Sequence, residues 1–483
     1  MATFNLLRNS KVYFTTDLTN STVNVAALTA AGTQELSILD SFSFSQGVAN
    51  DVITISESGG LPARGQRSFN TALNPVDFSF STYIRPYLSG TVHADEGNLW
   101  NALFNDKPIA VAAVTMTTAA TTATVTTAGV LTLISTAGIP VLTPTSVYIM
   151  RGVIGAFASQ LNGPLKVTSS SATTLVAQYL TAPSAAAATG ATIAMFTPTV
   201  NFTQSAWNEY AAVATDSAVG NTAYTELTTA RSNLNQLLSF GLVIVIDSTT
   251  YVVDNAVLDQ ASIDFGLDGI ATVQWTGKGA ALRQKTATVV TTGATTGTLT
   301  GGVAGTYTSK SSASVTRYIT NKLSTITIDG NIGGGGTAYS IPITGGSIQI
   351  ANNINYVTPA ELGIVNQPIG YYTGSRAITG TLNAYLRSGT GSGQLMSDML
   401  AVASTTIEPE YRMVINIGGS SAATRIELLA NGANIQIPTL DAQAVISTAI
   451  NFTVQGADAL QGTASANYDL EATNDLRIRY FSN

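Results

Sequence analysis

Apolar and polar side chains exchange at every position in residues 41–45, 78–84, 347–350, 434–437 and 449–454. A period of two sends alternate residues to opposite faces of a strand, so each segment predicts a strand with one buried and one wet face. The Thr, Val and Ile that fill these segments suit a pleated surface. Helical spacing is scarce. Residues 98–104 put Trp100, Leu103 and Phe104 on one face, and residues 394–402 do the same with Leu395, Met399 and Val402. A further short helical turn is expected within 208–224.

The order of elements then recurs. Strand 11–16, strand 36–44, a long loop, strand 78–87 and helix 98–104 are followed late in the chain by strand 323–328, strand 339–350, a long loop, strand 377–386 and helix 394–402. Strands 242–246, 262–265 and 271–277 correspond in the same way to 413–417, 434–437 and 449–456. Order and pattern, more than identity, predict a tandem duplication of one β-rich domain with one helix. The fold class is therefore mainly β: a β-sandwich or barrel-forming domain occurring twice, plus an inserted small β domain. The first copy is expected over 1–111 and 199–283 and the second over 315–483. Residues 112–198 have no counterpart; their own short strands and turn signals predict a separate small sandwich or barrel. Residues 284–314, rich in Thr, Gly, Ser and Ala, are expected to be a flexible strap between the copies.

Composition narrows the function. Charged residues are 10% of the chain against roughly 25% in ordinary soluble domains, while hydrophobic residues reach 45%. Such a chain buries a core, but its surface is poorly charged for a lone monomer, which points to a surface covered by copies of itself. Acids outnumber bases 28 to 21, so a phosphate-gripping role is disfavoured. With no Cys, thiolate metal sites, disulfides and cysteine nucleophiles are excluded. Residues 1–11 lack the apolar run of a secretory signal, and apolar strand 242–246 is too short to span a bilayer, so a protein made and used without a membrane is expected.

Candidate chemistry is thin. Gly389, Gly391 and Gly393 stand between a strand and a helix, but Gln394 occupies the place of the last Gly of a dinucleotide fingerprint, and a turn is the better reading. Gly333 to Gly336 lack a following Lys-Ser/Thr and read as a hairpin tip. His93, Asp95 and Glu96 precede the first helix; two acids there suit its positive end better than they suit a metal. No Ser is placed to make a triad with His93. Tyr371-Tyr372 and residues 477–481 read as packing segments, the latter as a final strand. No catalytic residue, metal or cofactor is expected. The long loop 49–76 carries Arg64, Arg67, Phe69 and Leu73, and its counterpart 349–376 carries Asn355, Tyr356 and Tyr371. Loops of this length with unburied aromatic and apolar residues are expected to touch another subunit.

Certain stretches are more specific. Residues 6–13 (Leu-Leu-Arg-Asn-Ser-Lys-Val-Tyr), 57–70 with Arg64-Gly65 and Phe69-Asn70, 72–84 with Phe-Ser-Phe-Ser-Thr-Tyr, and 99–103 form one set. Residues 319–323, 341–346 and 379–386 form its partner in the second copy. Together they resemble the tail tube protein of siphophages of the T-five type, over most of the chain outside the insert and strap. The resemblance implies tail-tube domains, each a β-sandwich with one flanking helix. It implies three duplicated chains closing a pseudo-hexameric ring, and rings stacking into a hollow conduit for genome ejection. It also implies tape measure, tail tip and terminator proteins as partners, DNA passing through the lumen without specific binding, assembly in the host cytoplasm and a place in the virion. The strand-connecting loops would bridge subunits or rings. One departure is plain: in that type the extra immunoglobulin-like domain follows the second copy, whereas here the additional segment interrupts the first. A bare, sheathless tail fits an outward, weakly charged insert. A secreted or virion-borne carbohydrate-binding or adhesive β protein is the alternative, and a β-sandwich enzyme, for which no constellation exists, is the third.

Overall fold

The computed structural model describes residues 10–39, 42–56, 64–89, 91–104, 114–117, 121–126, 129–135, 141–142, 144, 147–153, 164–179, 196–203, 207–210, 224–228, 237–247, 249–310, 318–329, 338–387, 391–403, 411–418, 424–437, 439–441, 447–455 and 476–481. The protein is mainly β. In copy one, β1 (Lys11–Thr15), β2 (Thr33–Leu36), β3 (Ser43–Ser56) and β4 (Arg64–Tyr83) lead to helix α1 (Gly97–Phe104). After the insert come β5 (Tyr224–Thr228), β6 (Phe240–Ile246), β7 (Thr249–Gly266), β8 (Thr272–Gly279) and β9 (Ala281–Lys285). Next stand β10 (Thr288–Thr291), β11 (Thr296–Gly301) and β12 (Gly305–Thr308). Copy two has β13 (Thr325–Asp329), β14 (Ala338–Ile341), β15 (Ile343–Ala351), the hairpin β16 (Ile354–Val357) and β17 (Gly370–Thr373), β18 (Ala377–Tyr385) and α2 (Ser392–Ala403). It ends with β19 (Tyr411–Ile417), β20 (Arg425–Ile435), β21 (Ser447–Gln455) and β22 (Arg477–Phe481).

The pairing order recurs along the chain. Copy one makes one sheet in the order β3-β4-β8-β7 and another in the order β2-β1-β6-β7-β9. Copy two repeats both as β15-β18-β21-β20 and β14-β13-β19-β20-β22. In each copy one strand, β7 or β20, is long enough to belong to both sheets. The two sheets bury their alternating apolar faces against each other and the helix. Phe14 stacks on Phe240 with centroids 4.6 Å apart, and Trp100 of α1 meets Trp275 of β8 edge-on at 4.7 Å. The indole of Trp275 donates to the Thr82 hydroxyl at 2.9 Å, so its one polar atom is satisfied in the core. The opposite face of the first sheet is polar and exposed, with Ser43, Gln274, Asp264, Gln349, Thr379, Asn383 and Asn451 on it.

Two expectations change. The loop expected at 49–76 is a β-hairpin: β3 and β4 stay paired from Ser43↔Ser79 out to Ser56↔Arg64, with register shifts near Gln46 and Ala49. The bulges bend the ribbon where it leaves the sheet. Of the segment 208–224, where a short helical turn is expected, residues 208–210 belong to the strand Trp207–Tyr210 paired with β5, and residues 211–223 lie outside the described residues. The strap expected at 284–314 is structured over 288–308, where β10, β11 and β12 form an antiparallel meander. Its Leu299, Val303 and Tyr307 are buried against Tyr13, Val243 and Val252 of copy one. Both faces of β1 and β6 are thus apolar, and the meander covers the outer one. Gly305, at φ +139, lies so close to Leu28 that a Cβ there would come within 2.3 Å of the Leu28 carbonyl oxygen.

The insert has a sheet of its own. Its seven strands run in the order Thr121–Val125, Val130–Ser135, Thr174–Tyr179, Pro164–Ser170, Val147–Val153, Phe196–Thr203, Val114–Thr117. Strand Phe196–Thr203 carries this sheet past the expected boundary at 198.

Candidate assembly surfaces

The two copies are joined by a β-seam. β7 pairs with β15 from Gln260↔Ala351 to Gly266↔Gly345, fusing the polar-faced sheets into one run of eight strands, β3-β4-β8-β7-β15-β18-β21-β20. Side chains lock the seam. The buried Asn352 amide donates to the Leu103 carbonyl at the end of α1 at 2.8 Å, and the Asp259 carboxylate accepts the Ile354 N–H at 2.7 Å. Arg376 lies over the Phe104 ring at 5.5 Å and donates to Asn352. A second junction lies on the other sheet. β22 sits between β20 of copy two and β5 of copy one, pairing with both along its whole length. From β22, Tyr480 reaches the buried start of α1: it accepts from the Trp100 indole at 2.6 Å and donates to the Glu96 carboxylate at 2.6 Å. Burial lifts the Glu96 carboxyl to about 7; the neighbouring Asp95 charge adds to the rise, and the Tyr480 hydrogen bond opposes it. Asp95 is ion-paired with buried Arg85 at 2.7 Å. The acids before α1 therefore act as buried partners of other elements, not as exposed charges at a helix end.

The run of eight strands has two ends. Among the described residues, the outer edge of β3 at Ser43–Gln46 and that of β20 at Asn434–Ile435 pair with no strand. Both helices carry the pattern Gly-x-Leu, Gly97 and Leu99 in one, Gly393 and Leu395 in the other. Phe104 of α1 is 2% exposed beneath Arg376, whereas Leu400, at the matching place in α2, is 52% exposed. Copy one thus has its neighbour, while copy two presents the same corner bare.

The expected contact residues fall on two arms. Arg64 opens β4 and its backbone pairs with Ser56; Arg67 pairs with Ile53 and is exposed. Phe69 is exposed further along the same strand, opposite Asp51. Leu73 is half-buried, and its N–H donates to the Asn366 carbonyl at 2.8 Å, where the arm of copy one meets that of copy two. Asn355 is exposed on β16 and pairs with Tyr372. Tyr356 and Tyr371 turn inward: their hydroxyls donate to the carbonyls of Asn255 and Leu237, both in copy one. The fold brings Leu73, Tyr356 and Tyr371 to the junction within the chain, and leaves Arg67, Phe69 and Asn355 on the surface. Asn352 and Arg376 escaped sequence reading, as did the hydrogen bond by which Tyr480 of the final strand reaches Glu96. Single polar residues in otherwise ordinary stretches carry no periodic signal, although the bare Asp95-Glu96 pair in a chain so short of charge was a hint.

Among the described residues no group of three His, Asp or Glu is placed to hold a metal, and no helix is long and apolar enough to cross a membrane. Gly391 lies in the turn before α2, as expected; Gly333 to Gly336 and Gly389 lie outside the described residues.

No protein-family model matches the chain. It is 24% identical over 485 residues to the tail tube protein pb6 of Escherichia phage T5, an alignment covering 98% of this chain and 78% of that protein. The likeness spans both copies and the insert.

Proposed function

We infer that this T5-like phage tail tube protein is a structural subunit whose chains close in threes into a ring, and whose rings stack into the hollow conduit through which a genome leaves the virion. The structural tail-tube role rests on the likeness to the T5 protein. The ring rests on one observation: the chain already contains one complete seam between copies and both halves of a second. Repeating the β7–β15 seam between chains sets the free edge of β20 beside the free edge of β3 in the next chain, and covers Leu400 as Phe104 is covered. Each join rotates by the same angle as the join inside the chain, so if six copies close a circle, three chains do. Closure removes the open sheet edges that would otherwise invite aggregation. The contact is heterologous, copy two of one chain meeting copy one of the next.

Eight strands per chain then make a barrel whose wet face lines the bore. That face is built of Ser, Thr, Asn and Gln, with Asp77 opposite Lys278 and Asp264 further along. It offers DNA few cationic clamps and a weak repulsion, so DNA slides without specific binding. Tape measure protein inside the bore and tip and terminator proteins at its ends are the partners that this role requires. Assembly belongs in the host cytoplasm, and the finished protein in the tail. The insert, absent from copy two, decorates the outside. Electron microscopy of the purified protein tests the reading: rings of three chains are expected, and rings of six chains would end it.

A further inference from the structure

Beside α1 the protein carries a cavity of about 780 Å³, a size usual for small-molecule sites. Its walls come from three places. Asn98 and Asn101, at i and i+3 and so on one face of α1, form one wall. Residues 237–239 and the half-buried Tyr371, from the arm of copy two, form another, tied together by the Tyr371 hydroxyl donating to the Leu237 carbonyl at 2.7 Å. The third is the segment between β1 and β2, which contributes Thr16, Leu18, Ser21 and Ala31. It is firmly held. Leu18↔Val23 and Thr19↔Thr22 pair as a hairpin, the Asp254 carboxylate accepts the Val23 N–H at 2.8 Å, and Arg283 donates to the Val23 carbonyl at 3.1 Å. Asn20 and Ser21 turn this hairpin at φ 50° and 61°. Gly is the usual second residue of such a turn; Ser stands here and brings a hydroxyl to the rim. Because α1 packs on the apolar side of the first sheet, Trp100 against Trp275, the cavity lies away from that sheet's polar face. Copy two lacks the arrangement. Its helix has Gln394 and Ser397 where α1 has Asn98 and Asn101, and residues 330–337 stand in place of the longer 16–32. What the two copies share does not need the cavity.

The lining selects the occupant. None of the described residues that line the cavity is charged, which disfavours an ion, a phosphate or a nucleic acid. Thr16, Ser21, Asn98, Asn101 and Ser239 offer hydroxyl and amide groups, and Leu18 and Tyr371 set apolar surface beside them. Gln34 accepts a hydrogen bond from the Asn98 amide and fixes its direction. Asn101 Oδ1 is buried and accepts no hydrogen bond from the protein, a costly state that a donor on an occupant relieves. We propose that this cavity is a binding site for a neutral saccharide. The C–H face of a sugar ring lies on Tyr371, and its hydroxyls bond to Asn98 and Asn101, one of them donating to Asn101 Oδ1. A molecule of many hydroxyls and no charge matches walls that alternate amide, hydroxyl and apolar surface. The proposal goes beyond the tube reading and does not depend on it; in a tube, the same weak site repeated along the shaft acts by avidity.

Ligand-observed saturation-transfer NMR on the full chain tests the site. The probes are the methyl glycosides of glucose, galactose, mannose and N-acetylglucosamine, with sialic acid as the anionic control. Transfer to at least one neutral glycoside, and none to sialic acid, is expected. Two variants locate the binding. Ala31 is exposed at the rim, so Ala31→Trp fills the mouth without entering the core; it is expected to abolish transfer at an unchanged melting temperature. Asn101→Ser, which installs the residue found at the matching place in copy two, is expected to weaken binding about fivefold, the ordinary weight of one hydrogen bond. No transfer to any neutral glycoside would overturn the proposal and leave the cavity to water. Transfer that persists in Ala31→Trp would overturn it by putting the sugar elsewhere, and transfer to sialic acid as strong as to the neutral sugars would overturn the chemical class. Single subunits and rings give the same readout, so failure here is distinct from failure of the three-chain ring.

Discussion

Glu96 shows how much one buried residue sets. It sits in the core with its carboxyl lifted to about 7 by burial, and it holds Tyr480 of the other copy. In the unfolded chain the group ionises near 4.5, so between these values the folded state keeps a proton that the unfolded state has lost. Its contribution is therefore full below about 4.5 and is lost as pH rises towards 7. Melting temperature followed across this window is expected to fall with rising pH in the wild type and to change less in Glu96→Gln, which keeps an acceptor for Tyr480 without the charge. An equal slope in both proteins would remove Glu96 from the account. A second residue-scale expectation concerns Gly277. A Cβ there would lie 2.4 Å from the Phe78 ring and 2.5 Å from the Val257 carbonyl oxygen. Gly277→Ala crowds the flanking strands β4 and β7 of its own sheet and is expected to cost about 1–3 kcal/mol in denaturant unfolding. At this scale the sequence was least legible. Trp100 and Phe104 were visible as a helical face, but nothing in residues 476–481 announced that Tyr480 completes that face's hydrogen bonds.

Among elements, the arms separate folding from assembly. Their strands lean on each other outside the sandwich core, and residues 65–70 are all exposed. Replacing residues 51–69 by a short turn is expected to leave the melting temperature within a few degrees of wild type and to leave rings that no longer stack. Long tubes from the truncated protein, seen in micrographs, would show that the arm is dispensable. Strands of period two and both helices could be read from the chain, because burial on one face leaves a regular imprint. The arm strands could not: both faces of residues 50–54 and 65–71 meet solvent, so no alternation is selected and the segment reads as a loop. The meander at 288–308 failed for another reason. Its Thr and Gly composition resembles a linker, and only Leu299, Val303 and Tyr307 betray a face, which makes sense once the apolar outer side of β1 and β6 is known.

For the whole molecule, the topology separates what repeats from what is added. The two copies share strand order in both sheets, while the insert and the meander belong to copy one alone. If three chains close the ring, as proposed, the tube carries sixfold walls and a threefold exterior. Replacing residues 112–203 by a Gly-Ser linker is expected to give smooth tubes of unchanged bore, measured by helical reconstruction; failure to assemble would place the insert sheet in the wall. The recurring element order was legible in the sequence, since order survives when identity does not. It could not place the seam, because strand pairing between copies is decided by edges, and an edge strand and a central strand look alike in one dimension.

The position of β22 between β5 and β20 also has a consequence for how the protein is made. Copy one acquires the partner of its Trp100–Glu96 pair, and the neighbour of β5, only from residues 477–481, which the ribosome adds hundreds of residues after α1. A nascent chain can collapse copy one early, yet it cannot finish it. Subunits still attached to ribosomes on one messenger lie side by side at high local concentration, the condition under which sticky edges and arms would tangle. Withholding that clasp until residues 477–481 are made delays the fully joined subunit until that point of translation. Chains released short of Arg477 are expected to sediment as protease-sensitive monomers, and intact incorporation of such fragments into tubes would show that the clasp sets no such delay.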